Sequence, residues 1–314
     1  MKVRRNDFIG AKIGDDERKS EKNVIKPGSV MNVATKNVIT IPPTSTIMSA
    51  VKTMITYSFR RLPVADPGTK RLEGIITGMD IVNFFGGGEK HGIVKERYDG
   101  NFLVAINEEV REIMERDVIA AEFTSSFEDV LELLLKNRVG GMPIVDREDR
   151  VIGILTERDV LHYLSSHKDF DGVVSDYMTK GVITAEPDTT IREAMRIMVE
   201  KGIRRLPIIK DGILMGLLTS TTLLQYFASG EAFKLLITGD VSEIIDKPVK
   251  VILSNEKVLQ YREPLTFPPY ASISEVVEKM VETGHGAALI VGDEDLVGIV
   301  TERDLVKFLC QVKC

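Results

Sequence analysis

The stretch Ile191-Arg-Glu-Ala-Met-Arg-Ile-Met-Val-Glu-Lys-Gly-Ile-Arg-Arg-Leu-Pro-Ile208 decides the fold, because the chain writes its pattern four times. Ile191, Ala194, Met195, Met198 and Val199 lie at relative positions 0, 3, 4, 7 and 8, which is one apolar stripe on a 3.6-residue helix. The other copies start at Ile47, Phe127 and Ile273. Sixteen residues past each start stand Pro63, Pro143, Pro207 and Leu289, inside Leu-Pro-Val, Met-Pro-Ile, Leu-Pro-Ile and Ala-Leu-Ile. A repeat this regular sets the architecture before any single residue is weighed.

Each copy continues alike. A glycine, two apolar residues and Thr follow as Gly74-Ile-Ile-Thr77, Gly153-Ile-Leu-Thr156, Gly216-Leu-Leu-Thr219 and Gly298-Ile-Val-Thr301. A second helix then begins, with apolar pairs such as Ile81-Val82 and Phe84-Phe85. A short β-type run precedes the first helix, as in Val38–Ile41 and Val182–Ala185. One unit reads strand, helix, strand, strand, helix over roughly 55 to 60 residues, where a lone core is marginal, so units should pair.

Spacing says which ones pair. Pro63 to Pro143 is 80 residues, Pro143 to Pro207 is 64, and Pro207 to Leu289 is 82. Two modules of two units are expected, joined near 166–173. The expected boundaries are a polar tail at 1–28 and units at 29–88, 106–167, 173–230 and 240–311. Gly86–Gly92 reads as a loop by composition. Taking Val249 as the counterpart of Val38, Val118 and Val182 puts an insertion of about fifteen residues near 252–266.

The Leu-Pro-Val-Ala-Asp66 and Met-Pro-Ile-Val-Asp146 strands, with Gly153-Ile-Leu-Thr-Glu-Arg-Asp159 before a helix, resemble cystathionine-β-synthase (CBS) domains. The resemblance covers Ser29 to Leu309. It implies an α/β fold of four CBS units (β-α-β-β-α) paired into two Bateman modules, similar in layout to the gamma regulatory subunit of AMP-activated protein kinase.

Composition sets outer limits. A 43% hydrophobic, 28% charged chain of net charge −6 is ordinary globular composition and gives nucleic acid no global attraction. No run reaches the ~20 apolar residues of a membrane helix, so a cytoplasmic location and no membrane partner are expected. Cys310 and Cys314 close the chain and are read as reduced thiols. Catalytic signatures are missing: there is no Gly-x-Ser-x-Gly, Cys-x-x-Cys, His-Glu-x-x-His or phosphate-loop motif. His91, His162, His167 and His285 fall in different repeats or loops and form no metal set. Neither a metal nor a catalytic cofactor is expected.

The candidate site lies where each second helix begins. Three units read Thr-x-x-Asp: Thr77 with Asp80, Thr156 with Asp159, and Thr301 with Asp304. Such spacing serves a helix-capping box and a ligand site about equally well. A helix N-terminus suits phosphate, and a carboxylate there can accept two hydrogen bonds from a sugar diol. The resemblance implies that the Asp holds ribose, that Thr77, Thr156, Thr219 and Thr301 touch ribose or phosphate, and that adenine lies against the strand before the Leu-Pro position. Unit 3 departs, with Thr219-Ser-Thr-Thr222 and no acid, so up to three nucleotide positions are expected. Arg60-Arg61 and Arg204-Arg205 recur at matching positions, and the planar guanidinium fork suits phosphate oxygens. Strand alternation predicts that one Arg of each pair is solvated. Arg158 and Arg303 are candidate phosphate contacts or simply exposed. Glycines replace the arginine pairs in units 2 and 4, at Gly140-Gly141 and Gly284-His-Gly286, where a base or another backbone could come close.

These readings predict a non-catalytic regulatory protein that binds AMP, ADP or ATP between paired units and signals to an unidentified protein target. A second copy of the chain, docked through the module faces, is a further candidate partner. Two alternatives stand beside it: an interaction scaffold with empty clefts, and a binder of another adenosyl ligand such as S-adenosylmethionine, which would not need the arginines.

Overall fold

A computed structural model describes residues 28–167, 170–229, 241–255, 263–293 and 295–313. The polar tail up to residue 27, and 256–262 within the expected insertion, fall outside these residues.

In unit 1, α1 (Ile47–Thr56) is followed by β1 (Arg61–Ala65), β2 (Leu72–Thr77) and α2 (Gly78–Val82). Helices α3 (Gly92–Tyr98) and α4 (Phe102–Ala105) lead to unit 2, which comprises β3 (Ala121–Glu122), α5 (Phe127–Lys136), β4 (Gly141–Val145), β5 (Val151–Thr156) and α6 (Glu157–Ser166). Unit 3 contains α7 (Ile191–Glu200), β6 (Arg205–Lys210), β7 (Ile213–Thr219) and α8 (Ser220–Ala228). After α9 (Ser242–Ile245) and α10 (Lys250–Leu253), unit 4 adds β8 (Thr266–Phe267), α11 (Ile273–Thr283), β9 (Ala287–Gly292), β10 (Asp295–Thr301) and α12 (Glu302–Lys313). Each first helix starts at its stripe because a hydroxyl caps it: Thr46, Ser126, Thr190 and Ser272 each accept from the backbone N–H three residues on.

The β-run before each first helix is shorter than its sequence suggests. Ile41 and Ala185 make only one parallel bridge each, to Val64 and Ile208. Proline explains part of this. In unit 4, Leu289 N donates to Leu265 O, but Pro63 and Pro207 have no N–H to offer at that place.

Pairing follows the spacing. The chain leading into each unit seats on its partner: Thr35 bridges Ile154, Glu115 bridges Ile75, and Thr179 bridges Ile299. The repeated glycine makes room for this exchange. A Cβ on Gly74 would sit 2.5 Å from Met114 Sδ, one on Gly153 would be 3.2 Å from Met31 Sδ, and one on Gly298 would overlap Met178. Val249 belongs to the same set, because its N–H bonds Thr189 O as that of Val110 bonds Ser45 O. It therefore matches Val110 and not Val118. Val110 precedes Phe127 by 17 residues and Val249 precedes Ile273 by 24, so unit 4 carries seven extra residues, not about fifteen.

Sheets meet within a module and helices meet between modules. Leu72, Val118, Ala120 and Val145 form a small core between the sheets of units 1 and 2, while Ala287, Leu289 and Ile299 belong to its counterpart in units 3 and 4. The two large cores join unit 1 to unit 3 and unit 2 to unit 4. Phe85 and Phe227 meet edge-on across the first, with ring centroids 4.5 Å apart. The stretch 86–92 is not an open loop. After α2, Asn83–Gly87 makes a π-type turn and Glu89–His91 a 3-10 turn, while a Cβ on Gly87 would meet Val199 and Met195 O of unit 3 at 2.9 and 3.0 Å. At Gly87 glycine supplies close packing, while Gly86, at φ +143°, supplies a backbone conformation that side chains rarely adopt.

Candidate functional site: an arginine centre and three carboxylates

All six arginines singled out by the repeat converge where the four units meet. Two carboxylates hold them, Glu157 and Glu302, the first residues of α6 and α12, where negative charge also suits the helix dipole. The Glu302 side chain has 0% exposure and the Glu157 side chain 3%. Arg60 forks onto both oxygens of Glu302, with Nη2 2.7 Å from Oε1. Arg158 Nε lies 2.8 Å from Glu302 Oε1, and Arg205 Nη2 lies 3.3 Å from Oε2. Arg204 Nη2 reaches Glu157 Oε2 at 2.5 Å, and Arg303 Nε reaches Oε1 at 3.0 Å. Arg61 Nη1 is buried and has no hydrogen-bond partner.

Six guanidinium groups against two carboxylates leave an excess of four positive charges in a partly desolvated space. Burial by itself would raise Glu302, but Arg60, Arg205 and Arg158 outweigh it and hold its carboxyl well below the usual range. Arg204, Arg61 and Arg303 do the same for Glu157 against its burial. Burial, with Arg204 alongside, pushes Arg61 down to about 9. Burial also pushes Arg205 down to about 10, despite Glu302 and with Arg60 and Arg204 adding to the fall. All the arginines stay charged at neutral pH, and the centre favours an incoming anion.

Neither arginine pair has a solvated member, contrary to the alternation argument: β1 and β6 begin at Arg61 and Arg205, so Arg60 and Arg204 precede the strands. Their carbonyls accept from Gly78 N and Ser220 N, leaving both side chains aimed at the centre. The glycines of units 2 and 4 make the opposite contribution. A Cβ on Gly141 would overlap Arg61 Nη1, and one on Gly286 would overlap Arg205 Nη2. They clear space for arginines of a neighbouring unit. Gly141→Ala, whose Cβ would also press within 2.8 Å of the Leu155 carbonyl oxygen at a φ of +159°, should therefore cost about 1–3 kcal/mol in denaturant unfolding through overpacking. Gly92→Ala, whose Cβ meets only the Glu96 side chain, Oε1 nearest at 3.6 Å, should stay within about 0.5 kcal/mol. Glu157 and Glu302 escaped the sequence reading, although a signal existed: units with the Glu-Arg pair carry glycines where the others carry Arg-Arg.

The three aspartates use one oxygen each as caps. Oδ2 of Asp80 accepts from Thr77 N and Oγ1 at 2.8 and 2.6 Å; Asp159 does so from Thr156 at 2.8 and 2.6 Å, and Asp304 from Thr301 at 2.9 and 2.7 Å. The other oxygen faces the partner unit. Thr35 Oγ1 donates to Asp159 Oδ1 at 2.8 Å, and Thr179 Oγ1 to Asp304 Oδ1 at 3.2 Å. Asp80 Oδ1 instead takes Lys90 Nζ. In unit 3 the cap is completed by Thr222 Oγ1, 2.8 Å from Thr219 N, with no carboxylate. Cap and ligand roles are thus compatible, because the box leaves Oδ1 outside it.

Among the described residues, no helix is long and apolar enough to cross a membrane, and no group of three His, Cys, Asp or Glu could hold a metal.

A tandem repeat whose paired sheets exchange lead-in strands, with capped carboxylates around a basic centre, defines a CBS-pair protein. The CBS domain family matches residues 30–87, 110–166, 174–229 and 241–311, and the chain belongs to it. Uncharacterized protein MJ1225 of Methanocaldococcus jannaschii is 40% identical over 282 residues, covering 89% of this chain and 98% of that protein. Its crystal structure, presented as that of a candidate archaeal homolog of g-AMPK, superposes with a TM-score of 0.84 over 90% of this chain and 99% of the other, at 38% identity. An uncharacterized 33.4 kDa protein from Thermofilum pendens is 29% identical over 273 residues, covering 87% of this chain and 88% of its own length. An uncharacterized Pyrococcus horikoshii protein shares the fold at a TM-score of 0.57 and 21% identity, over 90% of this chain and 99% of its own.

Proposed function

We propose that this chain is a non-catalytic sensor of adenine nucleotides, binding AMP, ADP or ATP in clefts between paired units and passing the occupancy to a protein target. The observation that carries the reading is charge. Asp159 and Asp304 each present an oxygen to the cleft, two residues along the helix from Glu157 and Glu302, where four positive charges stand in excess. Ribose would take the carboxylate oxygen now held by a threonine hydroxyl, and phosphate would take the arginines. A ligand shifts conformation only through its differential affinity for two states. Phosphate entering the centre would supply that difference, because the arginines it meets come from both modules.

A melting series tests this. A ligand that binds only the folded chain adds about 2.7 kcal/mol at a hundred times its Kd. AMP, ADP and ATP should raise the melting temperature with concentration, while adenosine and S-adenosylmethionine should do less. Equal shifts by adenosine and AMP would remove the arginines from the account. No shift from any of them would favour the scaffold reading, which has its own support in the complete capping boxes and in the partners already on each Oδ1.

A further inference from the structure

Asp80 is the counterpart of Asp159 and Asp304, yet its cleft is built differently. Lys90 comes from the turn between α2 and α3, not from the helix that carries the acid. Its Nζ donates to Asp80 Oδ1 and, at 2.5 Å, to Ile113 O in the segment leading into unit 2. One ammonium therefore ties together the start of α2, the turn and the partner's lead-in.

The turn is constructed to put it there. Asn83 Oδ1 accepts from Lys90 N at 2.8 Å, and His91 Nδ1 lies 3.0 Å from Phe84 O. His91 N bonds Gly88 O, and a Cβ on Gly88 would press within 2.8 Å of Asn83 Oδ1. The other two clefts offer an uncharged hydroxyl to Oδ1, from Thr35 or Thr179, which a ribose hydroxyl can replace like for like. At the matching position opposite Asp80 the chain has Glu115. The first cleft thus has a cation on its carboxylate and an acid where its counterparts have hydroxyls, the reverse of what a ribose phosphate needs. Asp304 also meets a lysine, Lys307 at 3.1 Å, but that residue stands three along the same helix with its side chain half exposed and does not cross the cleft.

We propose that Lys90 is an internal occupant of the first cleft that excludes an adenosyl ligand there, leaving binding to the clefts of Asp159 and Asp304. The proposal rests on the nucleotide-binding reading and deepens it by saying which clefts are open. Calorimetric titration of the full chain with AMP tests it. Wild type should take two AMP, Lys90→Met or Lys90→Gln should take a third, and Lys90→Met with Asp80→Ala should return to two. Lys90→Arg, which keeps the cation, should stay at two. A third AMP on wild type, no gain in either neutral variant, or weaker binding when Lys90 is removed would overturn it; the last would make Lys90 a ligand contact.

A second readout needs no nucleotide and no variant. With limiting acetic anhydride, mass spectrometry should find Lys90 acetylated several-fold more slowly than exposed Lys52. Equal rates would sink the occupant whatever the titration shows. Protection of Lys90 with no AMP bound to any form would instead preserve the closed cleft and reject the nucleotide reading.

Discussion

Glu302→Gln should give the largest loss of stability of any single change at the centre. Glu302 is fully buried and answers three guanidiniums: Arg60, Arg158 and Arg205. Removing one side of a buried ion cluster leaves the others desolvated without a counter-charge, which costs about 3–5 kcal/mol. Chemical denaturation of the full chain would measure it, and a loss under about 1 kcal/mol would show that water already screens these arginines. Glu157→Gln should cost less, since Glu157 answers two bonded arginines, Arg204 and Arg303. Inorganic pyrophosphate should stabilise Glu302→Gln more than wild type, because the anion replaces the missing charge.

The same carboxylates set a pH dependence. Glu157 and Glu302 titrate below the usual range in the folded chain, so between their folded and unfolded values the unfolded chain binds more protons. Stability is then fully present above about pH 4.3 and is lost as pH falls through the depressed values. Melting curves from pH 7 down to pH 3 should show this slope in wild type, and Glu302→Gln should flatten it.

Asp159→Ala and Asp304→Ala should each abolish one AMP site. Losing hydrogen bonds to a charged acceptor costs about 1.5–3 kcal/mol apiece, or ten- to a hundredfold in affinity. Each variant also loses its capping box, worth about 1 kcal/mol of stability. The two effects separate, since the site loss appears in calorimetric stoichiometry and the cap loss in the melt without ligand. Full stoichiometry in both variants would reduce these acids to caps.

Much of the architecture was legible because its signals are local. The stripe from Ile191 to Val199 and the Thr that opens each second helix act within one or two turns, so periodicity and spacing expose them. Val249 misled because an apolar residue before a helix looks the same whether it starts a strand or packs a short helix; its bond to Thr189 O is a contact with unit 3. Gly86–Gly92 misled for a related reason. Glycine's composition does not say whether the missing side chain frees the backbone or admits a neighbour such as Val199.

The amino-acid order alone determined four α/β units and their pairing by connection length, and it singled out the acids, threonines and arginines of the candidate site. Only the tertiary structure decided that helices join unit 1 to unit 3 and unit 2 to unit 4, that Glu157 and Glu302 gather arginines from both modules, and that Lys90 sits on Asp80. Apolar periodicity and capping operate over a few residues, whereas ion pairs such as Arg60 with Glu302 link positions 242 residues apart and exist only once the chain has closed.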